Sequence, residues 1–110
     1  MTNYVVVFVT AGAQDEATRI AEVVVTERLA ACVNMIPEIR SVYQWEGKLC
    51  NDQEILLVIK TTQEAYNRLE ARIKELHSYA TPEIIAVNIE RGSGAYLAWI
   101  ADSVDEANKV

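Results

Sequence analysis

Residues 32–45 read CVNMIPEIRSVYQW, and this stretch decides the fold. Its large apolar side chains share one face at a period of two, as in a strand with one covered face: Val33, Met35, Ile39, Tyr43 and Trp45. Pro37 cannot donate a hydrogen bond to a neighbouring strand, so the strand must lie at a sheet edge or bend at the proline. A strand of this length extends ~46 Å, which exceeds the width of such a domain. The stretch therefore predicts a long edge strand.

Two continuous apolar runs lie on either side of this stretch, YVVVFVT at Tyr4–Thr10 and EILLVIK at Glu54–Lys60. A run without polar alternation is typical of a strand covered on more than one side, and such strands are central in their sheet. Glu46-Gly47 precedes the second run and predicts a chain reversal, although it lacks the Asn-Gly signature of two-residue turns. The long strand and Glu54–Lys60 are therefore predicted to form a hairpin.

Two segments between the strands have apolar residues at helical spacing. The first helix is predicted over Asp15–Ala31, with two acidic residues at its start, where the helix dipole favours negative charge. The second follows Thr61-Thr62-Gln63-Glu64, which matches a capping box and so predicts a helix start. Its inward positions are Ala65, Leu69, Ile73 and Leu76.

The rest of the chain adds one strand and one helix. Glu83–Ile89 predicts a strand after Pro82, and Ser93 is a good cap for a short last helix through Ile100. The order is thus β-α-β-β-α-β plus a C-terminal helix. With right-handed crossovers and one hairpin, this order predicts an α+β fold with a ferredoxin-like split βαβ antiparallel sheet, in a single domain over residues 1–110. Strands one and three become central, and strands two and four become edges.

The composition excludes several classes of protein. A hydrophobic fraction of 51% excludes disorder, and a net charge of −6 argues against non-specific nucleic-acid binding, which needs a basic face. The apolar run Tyr4–Val9 has no basic residues before it and is far shorter than the ~20 residues of a membrane helix, so we expect neither a signal peptide nor a membrane partner. Cys32 and Cys50 lack metal-binding spacing and are expected to be reduced thiols in the cytoplasm.

Catalytic templates are absent from the sequence. It contains no GxSxG, HExxH, P-loop or GxGxxG motif, and His77 is its only histidine. The carboxylate pairs Asp15-Glu16 and Asp52 with Glu54 lie in stretches typical of solvated faces or turns. We therefore expect a protein that binds or assembles and is not an enzyme.

Aromatic and polar residues at strand and helix ends are candidates for a small-molecule cleft. They are Trp45, Lys60, His77, Tyr79, Glu83, Tyr96 and Trp99. The alternative for Trp45 and Trp99 is that they belong to an interface core. His77 is also the candidate metal ligand, but a helix C-terminus favours histidine without any metal. Copper or zinc would need further donors, such as Cys32 or Cys50.

The outer end of the predicted hairpin carries large apolar residues that the rest of the domain is too small to cover. They are Val42, Tyr43, Trp45 and Leu49. An exposed strand edge with large apolar groups invites pairing with another chain. The sequence therefore predicts an oligomer, without giving the number of subunits.

Six stretches also match a known family. They are RLAACVN at Arg28–Asn34, Ile36-Pro37, SVYQWEGK at Ser41–Lys48, Leu57–Thr62, Pro82–Ile85, and Gly94 with Tyr96–Ile100. Together they resemble the CutA family of divalent cation tolerance proteins over nearly the whole chain. The resemblance implies a ferredoxin-like fold, a cytoplasmic homotrimer built partly by the long second strand, and a PII-like shape with clefts between subunits.

The resemblance implies a copper site that this chain has only in part. Family members with a proposed copper site carry a cysteine in the first strand and a second histidine beside the first, and those positions are Val9 and Leu76 in this chain. Only His77 remains, and one exposed imidazole is a weak ligand. Weak copper(II) binding governed by His77 is therefore expected.

Two functions remain open on this reasoning. The first is a metal- or small-molecule-responsive binding protein that acts through clefts between subunits. The second is a trimeric scaffold that contacts a protein partner. Saturable ligand binding would favour the first function, and a partner whose binding no ligand alters would favour the second.

Overall fold

A computed structural model describes residues 3–104 of the chain. Its elements in chain order are β1 (Tyr4–Ala11), α1 (Gln14–Thr26), β2 (Cys32–Trp45), β3 (Lys48–Thr62), α2 (Tyr66–Leu76), β4 (Ile84–Asn88) and α3 (Gly94–Ser103). The strands within these residues form one antiparallel sheet in the order β2-β3-β1-β4. The predicted α+β fold with a split βαβ sheet is confirmed, with β1 and β3 central. None of the helices described is long and apolar enough to cross a membrane.

β2 and β3 form the predicted hairpin, and the molecule measures 46 Å along its longest axis. β3 begins at Lys48, well before the apolar run, because the polar residues ahead of Glu54 also pair with β2. The register shifts between Ile36 and Ile39, which makes Pro37 and Glu38 a bulge, and Glu38 has a φ of 61°. β2 is therefore an edge strand that also bends at its proline. The bulge moves Ile39, Tyr43 and Trp45 to the face opposite Val33 and Met35, so the prediction that all five share one face is wrong.

The hairpin closes through the two-residue reversal predicted at Glu46-Gly47. Trp45 pairs with Lys48 across it. Glu46 has a φ of 51° and Gly47 a φ of 79°. Positive φ at both central residues is the geometry of a type I′ turn, whose twist matches that of the strands. Glutamate thus occupies a backbone conformation that asparagine and glycine adopt more easily.

The core lies between one face of the sheet and the helices α1 and α2. Alternate residues of the two central strands are buried in it: Val5, Val7, Val9, Ile55, Leu57 and Ile59. They share one cluster with apolar residues of the two helices: Ala17, Ile20, Val24, Leu69 and Ile73. A second cluster joins α3 to the end of the sheet where β1 begins, through Ile100, Val104 and Tyr4.

The opposite face of the sheet, termed the open face, carries the intervening residues. They are Val6 and Phe8 of β1, Leu56 and Val58 of β3, and Ile85 and Val87 of β4. The residues of β1 and β3 are only half buried, and those of β4 are 53% and 54% exposed. The central strands are therefore apolar on both faces but well covered on only one.

The first helix is shorter than the predicted Asp15–Ala31, since α1 ends at Thr26. The Leu29 N–H donates to the Val24 carbonyl at 2.9 Å and the Arg28 N–H donates to the Val25 carbonyl at 3.0 Å. These paired bonds define a Schellman motif, and Arg28 supplies its left-handed residue with a φ of 60°. Leu29 is buried, because this motif turns it back into the core.

The capping box predicted at Thr61–Glu64 is wrong. Thr61 and Thr62 still belong to β3, because they pair with the start of β1. The Thr61 hydroxyl donates to the Leu29 carbonyl at 2.7 Å, and that of Thr62 accepts the Ala65 N–H at 3.3 Å in the turn before α2. α2 therefore starts at Tyr66 without a side-chain cap.

The inner face of α2 and the cap of α3 agree with the sequence pattern. Ala65, Leu69 and Ile73 are fully buried, while Leu76 is half buried against the core. Ser93 caps α3, because its hydroxyl accepts the Tyr96 N–H at 3.5 Å.

We expect Glu46→Asn to raise the melting temperature of the protein. Asparagine tolerates the positive φ of the type I′ turn, and the gain should be up to ~1 kcal/mol. Glu46→Val is the matched control: its β-branched side chain fits this conformation worst and should lower the melting temperature. Circular dichroism melts test whether Glu46→Asn melts at a higher temperature than Glu46→Val. Equal melting temperatures for the two would show that residue 46 does not adopt positive φ in solution.

Candidate functional site

His77 is buried, and both of its ring nitrogens are engaged. It follows the last residue of α2, and its side chain is 0% exposed. Nε2 lies 2.7 Å from the carbonyl oxygen of Thr10, and Nδ1 lies 3.1 Å from the backbone nitrogen of Tyr79. A carbonyl only accepts and an amide N–H only donates, so Nε2 carries the proton and Nδ1 accepts. The expected exposed imidazole is wrong, because β1 and the segment after α2 enclose the ring.

One carboxylate lies next to this ring, and a second is bonded to the neighbouring Tyr79. Glu16 Oε2 is 3.5 Å from His77 Nδ1, and no hydrogen-bond partner for this buried oxygen is found within residues 3–104. The Tyr79 hydroxyl donates to Glu54 Oε2 at 3.0 Å, and Glu54 is only 6% exposed. Burial of the phenol and its bond to Glu54 raise the pKa of Tyr79 to about 12. The hydroxyl therefore stays protonated and bonded at neutral pH.

Gly12 leaves the room that Tyr79 needs. A Cβ atom at position 12 would lie 2.6 Å from the Tyr79 hydroxyl oxygen, closer than nonbonded atoms approach. The residue follows the last residue of β1, beside the loop that carries Tyr79. Its missing side chain thus permits the bond between Tyr79 and Glu54.

This arrangement does not favour metal binding by His77. A ring whose two nitrogens already hold hydrogen bonds has no lone pair directed at an ion. The family positions for further ligands hold Val9, which is fully buried, and Leu76, which packs against the core. Within residues 3–104 no three His, Cys, Asp or Glu side chains are grouped so as to hold a metal ion.

A second group of candidates lies at the other end of β1. The Lys60 ammonium donates to the Asn34 side-chain oxygen, and Lys60 is the cross-strand partner of Cys32. Burial and the nearby Cys32 thiol raise the pKa of Tyr96. The Tyr96 and Trp99 rings are tilted against each other, with centroids 5.4 Å apart. Lysine, thiol and aromatic rings therefore surround the start of the open face.

The seven candidate residues lie at three separate places in one chain. Lys60 pairs with Val6, and His77 bonds to Thr10, so the two lie about 13 Å apart along β1. Tyr79 and the exposed Glu83 lie on the His77 side, and Tyr96 and Trp99 on the Lys60 side. Trp45 is at the hairpin tip, about 20 Å beyond Glu54 along the strands. A single chain does not unite them in one cleft.

Sequence reasoning missed Glu16 as a neighbour of His77, and Glu54 and Gly12 as neighbours of Tyr79. The sequence pattern predicts solvated carboxylates, yet Glu54 is buried and Glu16 lies against the His77 ring. The signal was available in the topology. Because β1 ends beside the start of β4, residues just after β1 must meet the loop that precedes β4.

The fold and these residues define a small α+β protein, and residues 3–104 contain no recognisable catalytic constellation. Comparison with known proteins gives its family. Residues 5–103 match the family described as CutA1 divalent ion tolerance protein, and the chain belongs to this family.

Individual relatives agree with this assignment. The divalent-cation tolerance protein CutA of Thermus thermophilus is 45% identical over 98 residues, which cover 89% of this chain and 95% of that protein. The solved structure of CutA1 from Oryza sativa superimposes with a TM-score of 0.93 at 42% identity and covers 96% of both chains. The Arabidopsis thaliana protein named CutA, chloroplastic, is 44% identical over 90% of this chain, which spans about half of that longer relative (54%).

We expect Gly12→Ala to destabilise the protein by ~1–3 kcal/mol, because the new methyl group conflicts with the Tyr79 hydroxyl. In the background of Tyr79→Phe, which lacks that oxygen, the same substitution should cost much less. Denaturant unfolding of the parent, both single variants and the double variant gives the coupling between the two positions. Additive costs would show that the tyrosine hydroxyl does not lie against Gly12.

Proposed function

We propose that this chain works as a homotrimer without a catalytic site, which responds to a metal ion or a small molecule bound in clefts between its subunits. Membership of the CutA family supports the general class, since the family is described by divalent ion tolerance. The trimer and its clefts are argued from the surfaces of the single chain.

The main support is the open face of the sheet. Val6, Phe8, Leu56 and Val58 alternate with core residues along β1 and β3, and one chain leaves them half exposed. Burying a large apolar side chain contributes roughly 1.5–3 kcal/mol. Further copies of the chain placed on this face would supply that burial. The apolar residues on the open face of the central strands therefore support the proposed assembly.

The hairpin gives a second reason for assembly. Val42 is 62% exposed, Trp45 59% and Leu49 74%, and all three lie near the turn of the hairpin. Within the described residues β2 pairs only with β3, which leaves its outer edge unpaired. A long unpaired edge with exposed apolar groups is a surface that proteins normally cover. The number three comes from the family resemblance.

Clefts between subunits would explain the separation of the candidate residues. Trp45, Lys60 and Tyr79 lie far apart in one chain, and each is at least partly exposed. Adjoining copies would bring different ends of two chains together, so that aromatic, basic and acidic groups line a shared cavity. A ligand in such a cavity would contact two subunits, so its binding would depend on their assembly.

A scaffold for a protein partner is the alternative function. The tilted ring pair of Tyr96 and Trp99 is 44% and 45% exposed, and exposed aromatic pairs are common at protein interfaces. We also propose a cytoplasmic location for the protein, because a reducing compartment suits the two free thiols Cys32 and Cys50.

Sedimentation equilibrium at micromolar concentration is expected to give three chains per particle. Trp45→Ala should shift the particle towards monomer, because truncating a buried aromatic anchor costs about 3–5 kcal/mol. Glu22→Gln, on the exposed side of α1, is the control and should leave the trimer intact. A monomeric parent protein would overturn the assembly argument, and an unaffected Trp45→Ala trimer would place this side chain outside the interface.

Copper(II) is expected to bind weakly and without fixed stoichiometry, because the ring nitrogens of His77 are occupied and no metal-binding donor set is grouped around them in residues 3–104. Isothermal titration should therefore give the same small heats for the parent protein and for His77→Gln. Tight binding of one ion per chain that disappears in His77→Gln would contradict the buried geometry. Saturable binding of one ion per trimer, lost in Trp45→Ala, would instead locate a metal between subunits.

A further inference from the structure

The thioether of Met35 lies against two hydrogen-bond donors of α1. Met35 Sδ accepts from Gln14 Nε2 and from Thr18 Oγ1, each at 3.9 Å. Gln14 Nε2 also donates to Thr18 Oγ1 at 3.3 Å, so both donors lie on the same side of the sulfur. A thioether is a weak acceptor. Two polar groups are therefore directed at an atom that binds them only weakly.

Met35 is accessible to a small reagent from solvent, because it is 37% exposed. It pairs with Leu57 across the hairpin, and Leu57 belongs to the core, so Met35 points to the side of the sheet that carries the helices. That side lies away from the open face, and the inference therefore does not rest on the proposed trimer. Exposed methionine thioethers are common sites of oxidation to the sulfoxide.

We propose that Met35 is a site of reversible oxidation by hydrogen peroxide, at which the donors of α1 bind the sulfoxide oxygen. A lone pair of the sulfur attacks one peroxide oxygen, an S–O bond forms, and the O–O bond breaks. The hydrogen on the transferred oxygen passes to the departing oxygen, which leaves as water. The sulfur is thereby oxidised and the peroxide is reduced. Methionine sulfoxide reductases return the side chain to the thioether.

The distances around the sulfur suit the oxidised side chain. A separation of 3.9 Å is long for a hydrogen bond, but it leaves room for a sulfoxide oxygen that accepts from the same donor at ~2.8 Å. This oxygen carries partial negative charge and is a stronger acceptor than the thioether sulfur. Met35 precedes the bulge at Pro37 and Glu38, so its oxidation would bind β2 more firmly to α1 at the base of the hairpin.

Treatment of the full chain with hydrogen peroxide tests the proposal. All proteins compared carry Cys32→Ser and Cys50→Ser, because peroxide also oxidises thiols. Peptide mass spectrometry should show one oxygen added at Met35, which a methionine sulfoxide reductase removes. In NMR spectra the side-chain amide of Gln14 should shift when Met35 is oxidised. An unmodified Met35 under conditions that oxidise free methionine, or an unchanged Gln14 amide in the oxidised protein, would overturn the proposal.

Removal of the two donors tests whether α1 binds the sulfoxide. Gln14→Leu combined with Thr18→Val leaves the oxygen without these partners. Oxidation should then lower the melting temperature by about 4 °C more than in the parent, the effect of roughly one hydrogen bond in a domain of this size. Met35→Leu is the control, since it keeps Met1 and so shows the effect of oxidation elsewhere. Equal changes in melting temperature for the parent and the double variant would contradict the proposal.

Discussion

The structure depends on one constraint, which is that its two central strands are apolar on both faces. β1 and β3 present buried residues to α1 and α2 and half-buried residues to the open face. The helices satisfy one side of this requirement, because their apolar stripes are wide enough for one sheet face. The other side is left to whatever covers the open face. One chain thus has a well-buried core but leaves the apolar residues of the open face partly exposed.

The same central strand positions His77. β1 pairs with β4 only as far as Val9, so Thr10 lies one residue beyond that pairing. Its carbonyl group is buried and needs a donor, as buried backbone groups almost always do. The imidazole Nε2–H supplies that donor and thereby fastens the end of α2 to the sheet. A residue that looks like a metal ligand in the sequence is therefore first a structural cap for a strand.

The sequence predicted the structural features that local patterns determine. It missed the features that depend on contacts between segments far apart in the chain. Strand order, the bend at Pro37 and the turn at Glu46-Gly47 follow from periodicity and backbone chemistry, and all are present. The end of α1 could not be read locally, because an arginine at the left-handed position gives no sequence signal. Thr61 matched a capping box, but pairing with β1 outweighed that local preference. The burial of His77 requires β1, α1 and the following loop together, and no single segment encodes it.

The two ends of β1 differ in electrostatic character, and this difference bears on how copies would meet in the proposed trimer. The end near Thr10 gathers the carboxylates of Glu16 and Glu54, whereas the opposite end carries the Lys60 ammonium. Within residues 3–104 no carboxylate lies within ion-pair distance of Lys60, whose amide partner Asn34 leaves its charge uncompensated. A closed ring of identical chains uses two different surfaces of each subunit. Contact between unlike ends would pair basic with acidic groups, whereas contact between like ends would repel, so the charges favour the head-to-tail arrangement that a threefold ring requires.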